Sequence, residues 1–231
     1  MKNSDLTRIA EELVAPATDV KLVADHSPHR AWDEGFLQIR RVTLQNEYAN
    51  GEMSREYSYD YVERNALDAV AIVLESGEGQ ICLRTAIRPP LLFRKQEQVP
   101  ILDPEPSAIA WEVPAGLIEP AEKGESGIQQ CAARETLEEV GLVVPAKRFA
   151  KLGAAVALSA GVIGEKIYFL HARVQPSDAG APTEDGSPLE ERAEVRWVSI
   201  EAALAAIERG EIVDIKTEVA IRRLADFQRS R

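Results

Sequence analysis

Nine residues, Arg134-Glu135-Thr136-Leu137-Glu138-Glu139-Val140-Gly141-Leu142, constrain this chain more than any other stretch. They read as the end of a helix, with Gly141 suited to a left-handed C-terminal cap. At roughly 100° per residue, Glu135, Glu138 and Glu139 share one face. Ala133, Leu137 and Val140 share the opposite face, where the spacing puts a core. Like charges so placed repel by roughly 0.2–0.5 kcal/mol per pair. A helix that keeps three carboxylates together has reason to hold a cation, and clustered carboxylate oxygens suit a hard ion such as Mg²⁺. The plain alternative is a solvated acidic face.

The remaining composition narrows the partners. The chain has 231 residues, 45% of them hydrophobic, enough for one large domain or a domain with an appendage. A formal charge of −11 argues against nucleic acid or a membrane surface as partner. It leaves room for a small phosphorylated substrate, because a bound metal reverses the local field. Cys82 and Cys131 have no metal-ligand spacing and read as reduced thiols, which points to the cytoplasm. No signal peptide or apolar span is visible in the sequence.

Periodicity supplies the elements. A helix is expected over 4–14, then a loop holding Pro16, Pro28, His26 and His29. Strands are expected over 36–44, 53–62, 68–74, 80–86, 111–114, 149–157, 166–174 and 195–198, with Asn50-Gly51 as a hairpin turn. The segment 115–124 reads as a loop. Ser126 and Gln129 have the spacing of a capping box at the start of the glutamate helix. Helices are expected over 200–208 and 217–227, separated near Gly210. Two loops stand out: proline-rich 89–110 and polar 175–191. Strands joined mostly by short turns, with helices beside them, predict an α/β (α+β) fold built on a mixed sheet.

The nine-residue run, with Trp111-Glu112-Val113-Pro114-Ala115-Gly116 upstream, resembles the Nudix box and its entry segment. Within that family it looks most like the ADP-ribose and nucleoside-diphosphate-sugar pyrophosphatases. Gly116 stands eighteen positions before Arg134, a longer interval than the family pattern has. Glu122 and Glu125 are therefore both candidates for the box glutamate that precedes the arginine. Ser159-Ala160-Gly161 is similar to a Ser-Pro-Gly segment of the same group, with Ala160 in place of proline. The likeness runs from about Phe36 to the end and leaves residues 1–35 as an N-terminal helix and linker.

The resemblance implies a Nudix-type α/β/α sandwich over 36–231, with 36–62 as an N-terminal β extension that serves a homodimer. It implies metal-dependent hydrolysis of the diphosphate in ADP-ribose or a nucleotide sugar, giving a nucleoside monophosphate and a phosphosugar. Glu135 and Glu139 are the implied principal ligands of Mg²⁺ (or Mn²⁺), with Glu138 sharing a second ion. The Ala115 carbonyl and the Glu112 side chain complete the set. Arg134 would orient a glutamate. Among the late-loop carboxylates Glu191 is favoured as general base. Arg84 and Arg88 would meet substrate phosphates, and Gly161 and Glu165 would lie beside them. Another Nudix substrate, a dinucleoside polyphosphate or coenzyme, and a non-catalytic nucleotide sensor are the competing readings.

Overall fold

The computed structural model describes residues 18–25, 35–102, 107–183, 186, 187, 189 and 193–230. The expected 4–14 helix, His26 and His29 lie outside them. Contacts divide the described chain into two compact units, one running to Arg64 and including Gly161–Ile163, the other holding the rest.

Three antiparallel strands build the first unit: β1 (Thr18–Asp25), β2 (Gln38–Tyr48) and β3 (Tyr57–Glu63), in the order β1-β2-β3. β1 lies where the sequence predicts a loop. Its pairing with β2 shifts register between Leu22 and Ala24, an irregularity that spoils the two-residue alternation on which a strand is recognised. The turn forms where expected: Gly51 adopts φ 83° and its N–H donates to the Tyr48 carbonyl at 2.8 Å. The return strand starts later than expected, at Tyr57, because Met53 makes only an isolated bridge to Glu47. Val42 is the one buried hydrophobic residue described in these strands, while Leu22, Phe36 and Ile39 are exposed.

The second unit is organised by β4 (Ala69–Ser76), all eight of whose residues are buried. Its side chains alternate between faces. Ala69, Ala71 and Val73 join one core cluster, and Val70, Ile72 and Leu74 the other. The sheet has the order β11-β5-β4-β10-β8, using β5 (Gln80–Ile87), β8 (Ala150–Lys151), β10 (Lys166–Val174) and β11 (Val195–Ser199). The strand β6 (Ile109–Glu112) pairs with β5, β7 (Ala115–Leu117) with β4, and β9 (Val156–Ala157) with β10. β10 runs parallel to β4 and the other pairs are antiparallel, so the sheet is mixed, as expected.

Three helices cover the faces. Helix α1 (Gly124–Val140) packs in the cluster with Val70, Ile72 and Leu74. Helices α2 (Ile200–Glu208) and α3 (Ile215–Arg229) cover the opposite face with Ala203, Ala220, Ile221 and Leu224. The result is the α/β/α sandwich. At the far end of β4 the buried Glu75 accepts from Arg173 Nε (3.2 Å) and Gln228 Nε2 (2.8 Å) and lies 2.7 Å from His171 Nε2. That gives His171 a structural partner. No helix among the described residues is long and apolar enough to cross a membrane.

Several local expectations need correction. The strand expected over 149–157 is broken into β8 and β9, and the 89–110 loop holds a helical turn at Pro89–Leu92 and gives Ile109 and Ala110 to β6. Segment 115–117 is a strand, not part of a loop, since β7 finds an open edge on β4. The capping box does not form. Helix α1 begins at Gly124, and Gln129 Nε2 donates to the Phe149 carbonyl at 2.8 Å.

Candidate active site

Helix α1 buries Gly127, Cys131, Ala132, Glu135, Thr136, Glu139 and Val140, a stripe of helical spacing. Two of the three clustered glutamates thus lie inside the stripe, while Ala133, Leu137 and Glu138 are only half-buried. The expectation that the acidic face points away from the core is overturned for Glu135 and Glu139. Thr136 explains part of the error: its Oγ1 donates to the Ala132 carbonyl at 2.6 Å, so a polar residue enters the core satisfied. β7 explains the rest, because its backbone lies directly against the carboxylates. A Cβ placed on Gly116 would sit 1.8 Å from Glu135 Cδ, so this position tolerates no side chain.

Arg134 gathers the first group of carboxylates. Its Nη1 donates to Glu135 Oε1 (2.6 Å) and Glu138 Oε2 (3.0 Å). Its Nε and Nη2 reach the two oxygens of Glu122, each at 3.2 Å, and Nη2 also donates to the Leu117 carbonyl at 3.1 Å. Burial raises the Glu122 pKa, but the Arg134 bonds outweigh it and hold the carboxyl below the usual range. Of the two candidates, Glu122 is the one that meets Arg134. Glu125 points to solvent and pairs with Lys151. Glu139 is held from elsewhere: Arg84 Nη1 donates to its Oε1, and the Ala115 N–H donates to its Oε2 at 2.9 Å.

Glu112 forms a second node. Arg88 grips it with two parallel bonds, Nε to Oε1 and Nη2 to Oε2, both 2.7 Å. Lys216 Nζ donates to Oε2 as well and lies 3.0 Å from Asp214 Oδ1. Asp214 in turn caps α3, accepting from the Thr217 N–H (2.9 Å) and hydroxyl (2.6 Å). The Thr217 hydroxyl oxygen accepts from the Val113 N–H at 3.0 Å. Burial raises the Glu112 pKa, yet Arg88 and Lys216 together pull it down to about 2. Sequence reasoning missed Lys216, Asp214 and Thr217 as parts of this node. The signal was available in Asp214-x-x-Thr217, an N-cap spacing just ahead of the expected helix.

The other expected residues are scattered. Glu165 is half-buried, next to Lys166 at the start of β10. Gly161 belongs to the first unit, where its carbonyl accepts from the Tyr59 hydroxyl at 2.8 Å. Glu191 lies outside the described residues, as do Glu184, Asp185 and Glu190. Glu194 is exposed; its N–H donates to Thr85 Oγ1 at 2.8 Å and its carboxylate pairs with Arg196. Arg196 stacks over Trp111 at 5.0 Å, and Trp111 also packs, partly buried, against the core.

Around α1 four carboxylates, those of Glu122, Glu135, Glu138 and Glu139, face two guanidiniums, those of Arg84 and Arg134. Among the described residues no three acidic, His or Cys side chains converge closely enough to enclose an ion. Glu135, Glu138 and Glu139 each carry an arginine partner instead. The donor chemistry fits a hard divalent cation: anionic oxygens in excess over the guanidiniums and partly shielded from water.

A family model, that of the NUDIX domain, matches residues 66–217, and the chain belongs to this family. It is an enzyme, a Nudix pyrophosphohydrolase. Enzymes of the family generally use divalent metal ions. The crystal structure of an ADP compounds hydrolase has the same fold, with a TM-score of 0.61 over 94% of this chain and 96% of that one, at 16% identity. No curated protein matches the chain.

Proposed function

We propose that this enzyme hydrolyses the diphosphate of a nucleoside diphosphate linked to a sugar, ADP-ribose or a nucleotide sugar, to a nucleoside monophosphate and a phosphosugar. The excess of carboxylate over arginine around α1 is the observation that carries the reading. A site with that imbalance favours a divalent cation, and a divalent cation favours a diphosphate. The hydrolase of ADP compounds that shares the fold points to the same substrate class.

In this reading Glu135 and Glu139 hold Mg²⁺ (Mn²⁺ as substitute), Glu138 shares a second ion, and the Ala115 carbonyl supplies a neutral oxygen. The metal's contribution is to neutralise phosphoryl oxygens and lower the pKa of an attacking water. Arg134, fixed by Glu122 and the Leu117 carbonyl, keeps Glu135 and Glu138 in place. Arg88 presents its half-exposed guanidinium to the substrate phosphates, with its plane set by Glu112. Glu112, already engaged by two cations, is assigned this orienting task in preference to metal ligation. Glu165 lines the phosphate side. Glu191 is the general base, a role that rests on the sequence resemblance.

The enzyme is also proposed to be a homodimer through its first unit. A three-stranded sheet with so little buried apolar surface needs covering to be stable. Cys82 and Cys131, both free and buried, suit a cytoplasmic protein.

A panel of ADP-ribose, other nucleotide sugars and dinucleoside polyphosphates, incubated with Mg²⁺ and resolved by anion exchange, tests the proposal. Release of a nucleoside monophosphate and a phosphosugar from one of the first two groups is expected. Turnover restricted to dinucleoside polyphosphates, or tight binding with no cleavage at all, would overturn it.

A further inference from the structure

The two arginines that neutralise the α1 carboxylates are built differently. Arg134 spreads its N–H groups over Glu122, Glu135, Glu138 and the Leu117 carbonyl. If the partners Glu135 and Glu138 are lost to an ion, Glu122 and Leu117 still hold it. Arg84 is 4% exposed, and among the described residues its guanidinium has one partner, Glu139 Oε1. Its Nε is buried with no acceptor. A guanidinium offers five donors in a rigid fork, so this one is conspicuously under-used. The backbone beneath it is fixed, because β5 pairs with β11 on one side and β6 on the other, at Val195 and Glu112. Only the side chain is free to change partner.

We infer that Arg84 is an exchangeable counter-ion: it neutralises Glu139 while the site lacks a cation, and transfers to a substrate phosphate when a divalent cation takes Glu139. The inference rests on the proposal that the α1 carboxylates bind the cation. Glu139 Oε1 cannot accept from Arg84 and coordinate an ion at full strength together. The incoming ion also repels the guanidinium. A phosphate beside the ion satisfies the displaced fork, including the orphan Nε, in the planar geometry arginine favours. Cation and diphosphate therefore assist each other through one side chain, and the coupling is reciprocal. The arrangement gives the buried Glu139 a cationic partner between turnovers.

Mn²⁺ binding, followed by the electron paramagnetic resonance of the free ion, tests this without turnover. The wild type, R84M, R84K and E139Q are compared with Mn²⁺ alone and with α,β-methylene ADP-ribose added. With Mn²⁺ alone, R84M is expected to bind about tenfold more tightly than the wild type, because a competitor for Glu139 has gone. The analogue should tighten Mn²⁺ binding less in R84M than in the wild type. R84K, which keeps the competing charge, should stay near the wild type. Arg84→Gln carries the same expectation as R84M and replaces it if R84M does not fold by circular dichroism. Equal or weaker Mn²⁺ binding in a folded R84M or Arg84→Gln variant would overturn the exchange. A wild type whose Mn²⁺ binding is absent, or is unaffected by E139Q, would overturn the cation reading on which it rests.

Discussion

The α1 carboxylates and the Glu112 node are neighbouring acidic clusters, since Arg84 and Glu112 face each other across β5 and β6. Their charge balance differs. At Glu112 two carboxylates, with Asp214 as the second, meet two cations, Arg88 and Lys216. Around α1 four carboxylates meet two arginines. The first cluster is electrically complete and behaves as a structural fastening, tying β6 to the start of α3. The second has charge to spare and is the one that gains from an ion. A count of acidic residues would not separate them, whereas the pairing does.

The largest expected effect tests the unbalanced cluster. Glu139→Gln removes a proposed metal ligand, and turnover should fall by roughly 10²–10³-fold, a few kcal/mol of barrier. Glu139 is buried and paired with Arg84, so the melting temperature is expected to fall as well. Near-full activity would show that the cation sits elsewhere. Gly116→Ala comes next. The added methyl collides with the Glu135 carboxylate, and activity and metal affinity should each drop by about 10–100-fold. A crystal structure of an active Gly116→Ala enzyme with Glu135 unmoved would contradict the packing described.

The balanced cluster should respond in stability more than in catalysis. Lys216→Met leaves Glu112 with Arg88 alone, and unfolding in urea should show a loss of about 1–3 kcal/mol. A larger loss of turnover than of stability would mean that Lys216 reaches the substrate. The pH dependence follows from Glu112. Its carboxyl is depressed from 4.5 to about 2 in the folded state, so its stabilisation is full above pH 4.5. That stabilisation disappears as pH falls from 4.5 toward 2. Acid titrations of the wild type and Glu112→Gln should converge over that interval. The smallest effect belongs to Glu125, which faces solvent: Glu125→Ala should leave turnover unchanged, and a marked loss would return it to the site in place of Glu122.

Much of this was legible in the sequence for physical reasons that can be named. Strand β10 and helix α2 carry undisturbed periods of two and of helical spacing, and both lie where the pattern puts them. Gly141 caps α1 at φ 74°, as a left-handed terminus demands. The failures share a cause: partners distant in sequence. β7 is extended because β4 is there to pair with it. Glu135 and Glu139 are buried because Arg84, the β7 backbone and Arg134 compensate them. The bond between Arg134 and Glu122 survives a longer interval because that interval is helical, with α1 starting at Gly124 just after Glu122. Lys216 at Glu112 joins residues a hundred positions apart, which no local pattern records.

The most direct test of the central claim is the Mg²⁺ dependence of diphosphate cleavage, titrated for the wild type and for Glu139→Gln with the best substrate of the panel. No turnover is expected in the presence of chelator, with saturable activation by Mg²⁺ in the wild type and a greatly weakened response in the variant. Undiminished cleavage in chelator, or the same activation curve for both proteins, would contradict it.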